Sequence, residues 1–501
     1  MSRARAQLGL AAAWLALACA ALPSAPPPSR EAAEHEARAV EQQIGLLDDG
    51  ALASYVRALG ARIAAASPEP AAALRFHVVD MPETNAFSLP GGGVYVSRGL
   101  LAFVRSEDEL ANVMAHEVAH VLRRHAERLE ERRQQVEFAS LARLATASLG
   151  GAGQQAIAAL ELEGAGLVAR YSRDLEREAD RDGQRLAAHA SFDPAGMASF
   201  LAALDRESTF RLGKPRRPTF LDTHPAAPER ATDAAATARS LGTRSEGSAS
   251  ESAAFFDRLD GLLVGENPAE GTLRDGLFLH PDLDLALRYP ADWRVANARD
   301  AVIAAPPESQ ALLTLTLQEE YHDPRAAAVR FLRANKSTLE LLEQGPLLGT
   351  GVPAHRAWAR LMKPGEPVFT RLFWFAHGGR IYRLQGVVGE AGFERMAVRF
   401  DQIAASFRPL TPEERTSFRI RRLRIIAARE GERFEALLAR SRNVERLDQI
   451  ALANALDVGD RLSAGQRVKV VVEQPYAPGS TAGMRKQAST PAPSESTPTS
   501  P

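Results

Sequence analysis

Residues 116–120 read His-Glu-Val-Ala-His, inside the run "ELANVMAHEVAHVL" at 109–122, whose apolar spacing is helical. Ser106 supplies an N-cap and Glu109 stands three residues on, so a capping box starts the helix. Residues four apart share one helical face, so His116 and His120 can direct two imidazoles at one Zn²⁺, at about 2.0–2.1 Å. Glu117, one step round, is placed to take a proton from a metal-bound water. Zinc draws the pKa of that water towards about 7. Histidine pairs also arise by chance on solvated helices, and a catalytic zinc needs three protein ligands plus water.

The stretch "SRDLEREAD" at 172–180 offers the third ligand. Glu176 and Asp180 again lie at i and i+4, so one carboxylate can complete a His₂Glu set. The other can hydrogen-bond the outer nitrogen of a ligand histidine and fix its tautomer. Alone this segment reads as a solvated charged helix; coupled to His-Glu-x-x-His upstream it reads as part of one site. His125 lies nine residues from His116, about 180° away on a continuous helix, and is expected to face solvent.

Four segments occur in a telling order: "NAFSLPGGGVYVSRGLL", "ELANVMAHEVAHVLRRH", "YSRDLEREADRDG" and "THPAAPER". In that order they resemble the HtpX/BepA-like zinc metallopeptidases of the gluzincin class, over about residues 30–240. The resemblance implies one Zn²⁺ per chain, with His116, His120 and Glu176 as its ligands, Glu117 as general base and Asp180 behind the ligands. It also implies that Asn85–Leu89, with Asn85, Ala86 and Phe87 foremost, is a strand that pairs with an extended polypeptide substrate. His224 is either a structural loop histidine or a fourth ligand that latches the zinc. Arg230 either stabilises a developing oxyanion or pairs with Asp180 or Glu178.

With 501 residues the chain exceeds one hydrophobic core. Its 45% hydrophobic and 25% charged content is that of an ordinary globular protein, and a net charge of −1 gives no field that would attract nucleic acid. The expected fold class is α+β: a mainly helical gluzincin domain with a small sheet over 31–245, a small α+β domain of unknown role over 272–410, and a LysM-like βααβ module over 418–473. LysM modules are often associated with peptidoglycan, and packing or contact with envelope proteins is the alternative role. Residues 134–168 read as packed helices, "AAAVRFLRANKSTLELL" as one helix, and 474–501, rich in Ser, Pro and Thr, as a disordered tail.

Residues 1–22, two arginines and then an apolar run, read as a signal peptide. Cys19, the single cysteine, stands in "ALAC". Two readings stay open: lipidation at Cys19 with anchoring to the outer membrane, or ordinary cleavage that leaves a soluble periplasmic protein. The functional expectation is a zinc endopeptidase that clears misfolded or misassembled proteins of the bacterial envelope. The alternative is a latched, chaperone-like or peptidoglycan-tethered assembly factor with little turnover.

Overall fold

The structure is a computed structural model that describes residues 30–47, 50–67, 74–134, 172–210, 220, 224, 229–242, 249–298, 301–307, 311–318, 322–362 and 367–479. The signal-peptide reading with Cys19, the packed helices expected over 134–168 (bar its first residue, Gln134) and the tail from residue 480 onward lie outside the described residues. The chain divides into two compact units. Residues 1–39, 50–260 and 424–470 form the first, and residues 40–49, 261–423 and 471–501 the second. Among the described residues no helix is long and apolar enough to cross a membrane.

The elements of the first part of the chain are α1 (Arg30–Ile44), α2 (Gly50–Ala65), β1 (Arg75–Val79), β2 (Ala86–Leu89), β3 (Gly93–Ser97), α3 (Arg98–Phe103) and α4 (Glu107–Leu122). Then come α5 (125–134), α6 (172–189), α7 (Ala195–Phe210), α8 (Arg230–Leu241) and α9 (Ala249–Leu259). The three strands make one sheet in the order β1-β3-β2. β1 runs parallel to β3 and β2 antiparallel to it, with Ala86 opposite Val96 and Leu89 opposite Gly93. The reversal between β2 and β3 passes through Gly91 and Gly92 at φ 91° and 93°, a backbone region that glycine enters without a Cβ clash. β2 is therefore an edge strand.

Helix α4 is the core of this unit, because every residue from Glu109 to Ala119 is buried. The Ser106 hydroxyl accepts from Glu109 N at 3.1 Å, as the capping box requires. The return half differs: Glu109 Oε2 accepts from Arg105 N at 2.7 Å, one residue before the cap. Asp193 caps α7 by accepting from Ala195 N at 2.8 Å. Helix α6 can lie directly on α4 because of Gly183. A Cβ there would stand 2.8 Å from both Cα and N of His116, too close for any side chain.

Three elements of the C-terminal stretch, α13 (Phe434–Arg440), α14 (Leu447–Asn454) and the first half of β17 (Arg467–Pro475), also belong to the first unit. They follow β16 (Arg419–Ala427) in the order βααβ. Lys469 on β17 is wholly buried. Its ammonium donates to the carbonyl oxygen of Ala102 at 2.9 Å and to that of Val104, where α3 ends. Asn454 brackets the lysine's backbone, accepting from its N–H at 2.7 Å and donating to its carbonyl at 3.0 Å. The module is thus fastened to the peptide that leads into α4.

The second unit is α+β. Its main sheet has seven strands in the order β11-β12-β13-β14-β10-β9-β8, all paired antiparallel. They are β8 (Arg294–Asn297), β9 (Ala301–Ala305), β10 (Leu312–Gln318), β11 (Leu339–Pro346), β12 (Ala354–Leu361), β13 (Val368–His377) and β14 (Arg380–Gly389). Phe373, Phe375, Phe400 and Phe407 form the centre of its largest apolar core with Trp293. One expectation fails here. Helix α10 (Pro324–Ala334) stops at Asn335, and "STLELL" turns into β11, which pairs with β12 from Leu339 opposite Leu361 onward. Pairing with a neighbouring strand overrides the helical propensity of Leu and Glu. The expected tail also begins later than residue 474: β17 runs to Pro475, and Tyr476 is buried with its hydroxyl donating to Asp282 at 2.7 Å.

Candidate metal centre

His116 and His120 leave α4 on one face, and their Nε2 atoms stand 3.0 Å apart. Glu176 comes from α6, with Oε2 3.5 Å from His116 Nε2 and Oε1 3.5 Å from His120 Nε2. His224 arrives from the other side, its Nδ1 3.2 Å from both Glu176 oxygens and 3.4 Å from His116 Nε2. One donor atom from each of these four residues lies within 4.8 Å of all the others. His224 is fixed by its backbone N–H, which donates to Phe220 O at 2.8 Å, and by the Phe220 ring stacked 4.3 Å away.

Behind the donors stand the remaining residues expected from the sequence. Asp180 Oδ1 is 3.0 Å from His116 Nδ1, on the side of the ring away from the cluster. Of the two readings for Arg230, the structure has the ion pair: its guanidinium donates to both Asp180 oxygens at 2.8 Å. Its Nη1 also lies 3.2 Å from Glu176 Oε2. So held, it is not among the residues that line the cleft. Glu117 is completely buried, with Oε1 3.2 Å from His224 Nε2. Neither of its oxygens accepts a well-aligned hydrogen bond among the described residues.

The charges are mutually compensated. Burial resists ionisation of Glu117, but His224 and the two α4 histidines outweigh it and hold the carboxyl down at about 2. Burial likewise opposes a proton on His224, yet Glu176 and Glu117 raise its imidazole to about 10. Burial and the neighbouring His116 and His224 push His120 down to about 3. The ionised carboxylates and the neutral His120 suit a divalent cation, whereas His116 and His224, whose pKa the neighbouring carboxylates raise against burial, must each give up a proton to bind one. A mixed nitrogen and oxygen set of this kind suits zinc.

The donors open onto a cleft of about 350 Å³. One wall is the β2 edge and its turn, Phe87 to Gly91, and the other includes Val121, Leu129 and Leu175. Of the strand Asn85–Leu89 expected to pair with a substrate, Phe87, Ser88 and Leu89 line the cleft, whereas Asn85 N donates to Ser97 Oγ at 3.0 Å and Ala86 is fully buried.

His125 is the residue that sequence reasoning placed wrongly. It is buried and lines the cleft, with Nδ1 3.0 Å from His120 Nδ1. Helix α4 ends at Leu122 and Arg124 takes φ 52°, so the chain kinks and α5 starts in a new direction. The nine-residue spacing therefore does not run along one helix. No glycine or proline marks the break, which leaves no sequence signal for it.

Residues 51–238 match the profile of Peptidase family M48. With the donor set above, this segment is similar to the M48 metallopeptidases. A putative beta-barrel assembly-enhancing protease of Vibrio cholerae is 36% identical over 199 residues, covering 39% of this chain and 40% of that one. The beta-barrel assembly-enhancing protease of Escherichia coli K12 is 32% identical over 194 residues, 38% of this chain and 39% of that one. A mitochondrial metalloendopeptidase, OMA1 of Schizosaccharomyces pombe, is 37% identical over 177 residues, 35% of this chain and 50% of that one. The chain thus spans half or less of the length of these relatives.

Proposed function

We propose that the chain is a zinc-dependent endopeptidase that cleaves polypeptides held as an extended strand along β2. The observation that carries this reading is the cluster of His116, His120, Glu176 and His224, with ionised Glu117 beside it, opening onto a cleft walled by an edge strand. His116, His120 and Glu176 would hold the metal. Bound there, zinc supplies Lewis-acid polarisation of the scissile carbonyl and acidifies the attacking water. Glu117 takes that water's proton and returns it to the leaving amine. Asp180, gripped by Arg230, orients His116. The edge of β2 offers main-chain groups for strand addition, and Phe87 and Leu89 line the cleft beside it.

The setting we infer is the bacterial envelope, with misassembled envelope proteins as substrates. The apolar N-terminal segment with its two arginines supports export. So does the name of the Vibrio and Escherichia relatives, which ties those proteins to beta-barrel assembly. We also propose that the C-terminal module, whose elements follow in the order βααβ, is a LysM-like unit with peptidoglycan as its partner.

A second reading concerns the resting state. His224 completes a four-donor set, and a zinc with four protein ligands keeps no open position. His224 would then latch the site until it moves aside. His224→Ala should raise the cleavage rate, and an unchanged or lower rate removes the latch.

The deciding experiment compares Glu117→Gln and Glu176→Gln with wild type. Wild type should hold about one zinc per chain, as one such site requires. Glu117→Gln should keep its zinc and lose denatured-casein cleavage by about 10²–10⁴-fold, the usual worth of a general base. Glu176→Gln should lose both. Wild-type cleavage by Glu117→Gln would sink the peptidase reading.

A further inference from the structure

His116 is held from behind by Asp180, and the outer nitrogen of His120 has a partner of its own. His125 Nδ1 lies 3.0 Å from His120 Nδ1. On the far side of the His125 ring, Nε2 lies 3.4 Å from Glu178 Oε2. The same Glu178 oxygen accepts from Arg128 Nη1 at 3.0 Å. We propose that His125 and Glu178 are positioning residues that fix the tautomer and ring orientation of His120, through a relay from carboxylate to imidazole to imidazole.

The proton positions follow from the chemistry of a neutral imidazole, which carries one N–H and one lone pair. His120 Nε2 is the atom that converges with His116 and Glu176, so a metal there needs its lone pair. The His120 proton is then on Nδ1, pointing at His125 Nδ1. That atom must accept, which places the His125 proton on Nε2, towards Glu178. The His120–His125 hydrogen bond ties the two tautomers together, and the Glu178 carboxylate, an ion-pair contact at 3.4 Å from Nε2, favours the proton on that side. The opposite tautomer of His120 would aim its one N–H into the donor cluster and a lone pair at His125.

The two ligand histidines are thus supported by parallel arrangements. Arg230 holds Asp180 against His116, and Arg128 holds Glu178, through His125, against His120. Both carboxylates come from α6, two residues apart. Asp180 reaches its histidine directly, whereas Glu178 is bridged by His125. The kink at Arg124 is what brings His125 back to the site. The strained φ of a non-glycine residue there acquires a purpose, because a straight α4 would carry His125 away from His120.

This inference rests on the zinc reading given above, and its test separates the two. Zinc dissociation constants are measured by chelator competition for wild type, Glu176→Gln, His125→Ala, His125→Leu and His125→Asn. If wild type binds no zinc, or Glu176→Gln binds it as tightly, the zinc reading fails before the His125 variants are compared. With that reading intact, His125→Ala should weaken zinc about 10–100-fold, the usual effect of losing a partner behind a ligand. His125→Asn should recover most of the loss, because its amide oxygen can accept from His120 Nδ1 where the ring nitrogen did. His125→Leu fills the volume but accepts nothing, so it should bind as weakly as His125→Ala. The Co²⁺-substituted protein should show a shifted visible spectrum in Ala and Leu and a near-native one in Asn.

Wild-type zinc affinity in His125→Ala, or recovery by Leu equal to that by Asn, overturns the relay. Should a variant not fold, nitrogen-15 shifts of labelled histidine in the zinc-loaded wild type decide instead. The proton is expected on Nδ1 of His120 and on Nε2 of His125. A His125 protonated at Nδ1 overturns the proposal.

Discussion

Arg230 grips Asp180 as a fork, Nε to Oδ2 and Nη2 to Oδ1, both at 2.8 Å, with both residues buried. The pair does not touch the cleft, yet it reaches the candidate ligands twice, through Asp180 to His116 and directly to Glu176. A buried ion pair broken on one side leaves an uncompensated charge, which usually costs about 3–5 kcal/mol. Here that charge would sit behind a ligand.

Removing the fork should therefore loosen the metal before it unfolds the domain. Arg230→Gln is expected to weaken zinc about 10–100-fold, as loss of an outer partner does. Arg230→Lys should recover only part, since a lysine ammonium cannot span both carboxylate oxygens. Chelator competition checks both, and wild-type affinity in Arg230→Gln would show that Asp180 needs no support.

The meeting of α4 and α6 gives a second expectation. At Gly183 an added Cβ would stand 2.8 Å from Cα and N of His116, and backbone on both sides leaves nothing flexible to yield. Gly183→Ala should push the helices apart, lower stability by about 1–3 kcal/mol as overpacking does, and weaken zinc as well. Gly50→Ala is the control, because nothing lies within 4 Å of its Cβ position. A melting curve and a zinc titration on the two variants suffice. Equal behaviour of the two would contradict the close approach.

How much of this was legible in the sequence follows from which interactions are local. His116, Glu117 and His120 share one helix, and Glu176 and Asp180 another, so periodicity alone places each pair on a face. The cap at Ser106, the glycine turn after β2 and the strands around Phe375 are likewise set by neighbours in the chain. What failed depended on distant residues. "STLELL" becomes a strand because β12 lies beside it, and His125 turns inward because Arg124 takes φ 52° without a glycine to announce it. Lys469 was invisible for the same reason: one lysine in an apolar strand gives no hint that two carbonyls from residues 102 and 104 await it.

That lysine supports the last prediction. Burial pushes its ammonium from an ordinary value of 10.5 down to about 7, with Glu109 opposing and Arg105 adding to the shift. In the unfolded chain the group keeps its proton up to about 10.5, whereas in the folded unit it has lost it above about 7. Between those values unfolding takes up a proton, so stability rises with pH, by at most about 1.4 kcal/mol per unit for one group. Below about 7 both states are protonated and the cost of burying the charge is present in full. Lys469→Met removes this slope, whatever it does to stability at one pH. Urea unfolding at pH 7, 8.5 and 10 should therefore show wild type gaining on the variant as pH rises. The tryptophans among the described residues, Trp293, Trp358 and Trp374, all lie in the second unit. Their fluorescence should follow the same transition in both proteins, while the slope appears in the far-ultraviolet signal that the helices of the first unit contribute. Parallel pH profiles in that signal would show that burial does not depress the Lys469 ammonium in the folded unit.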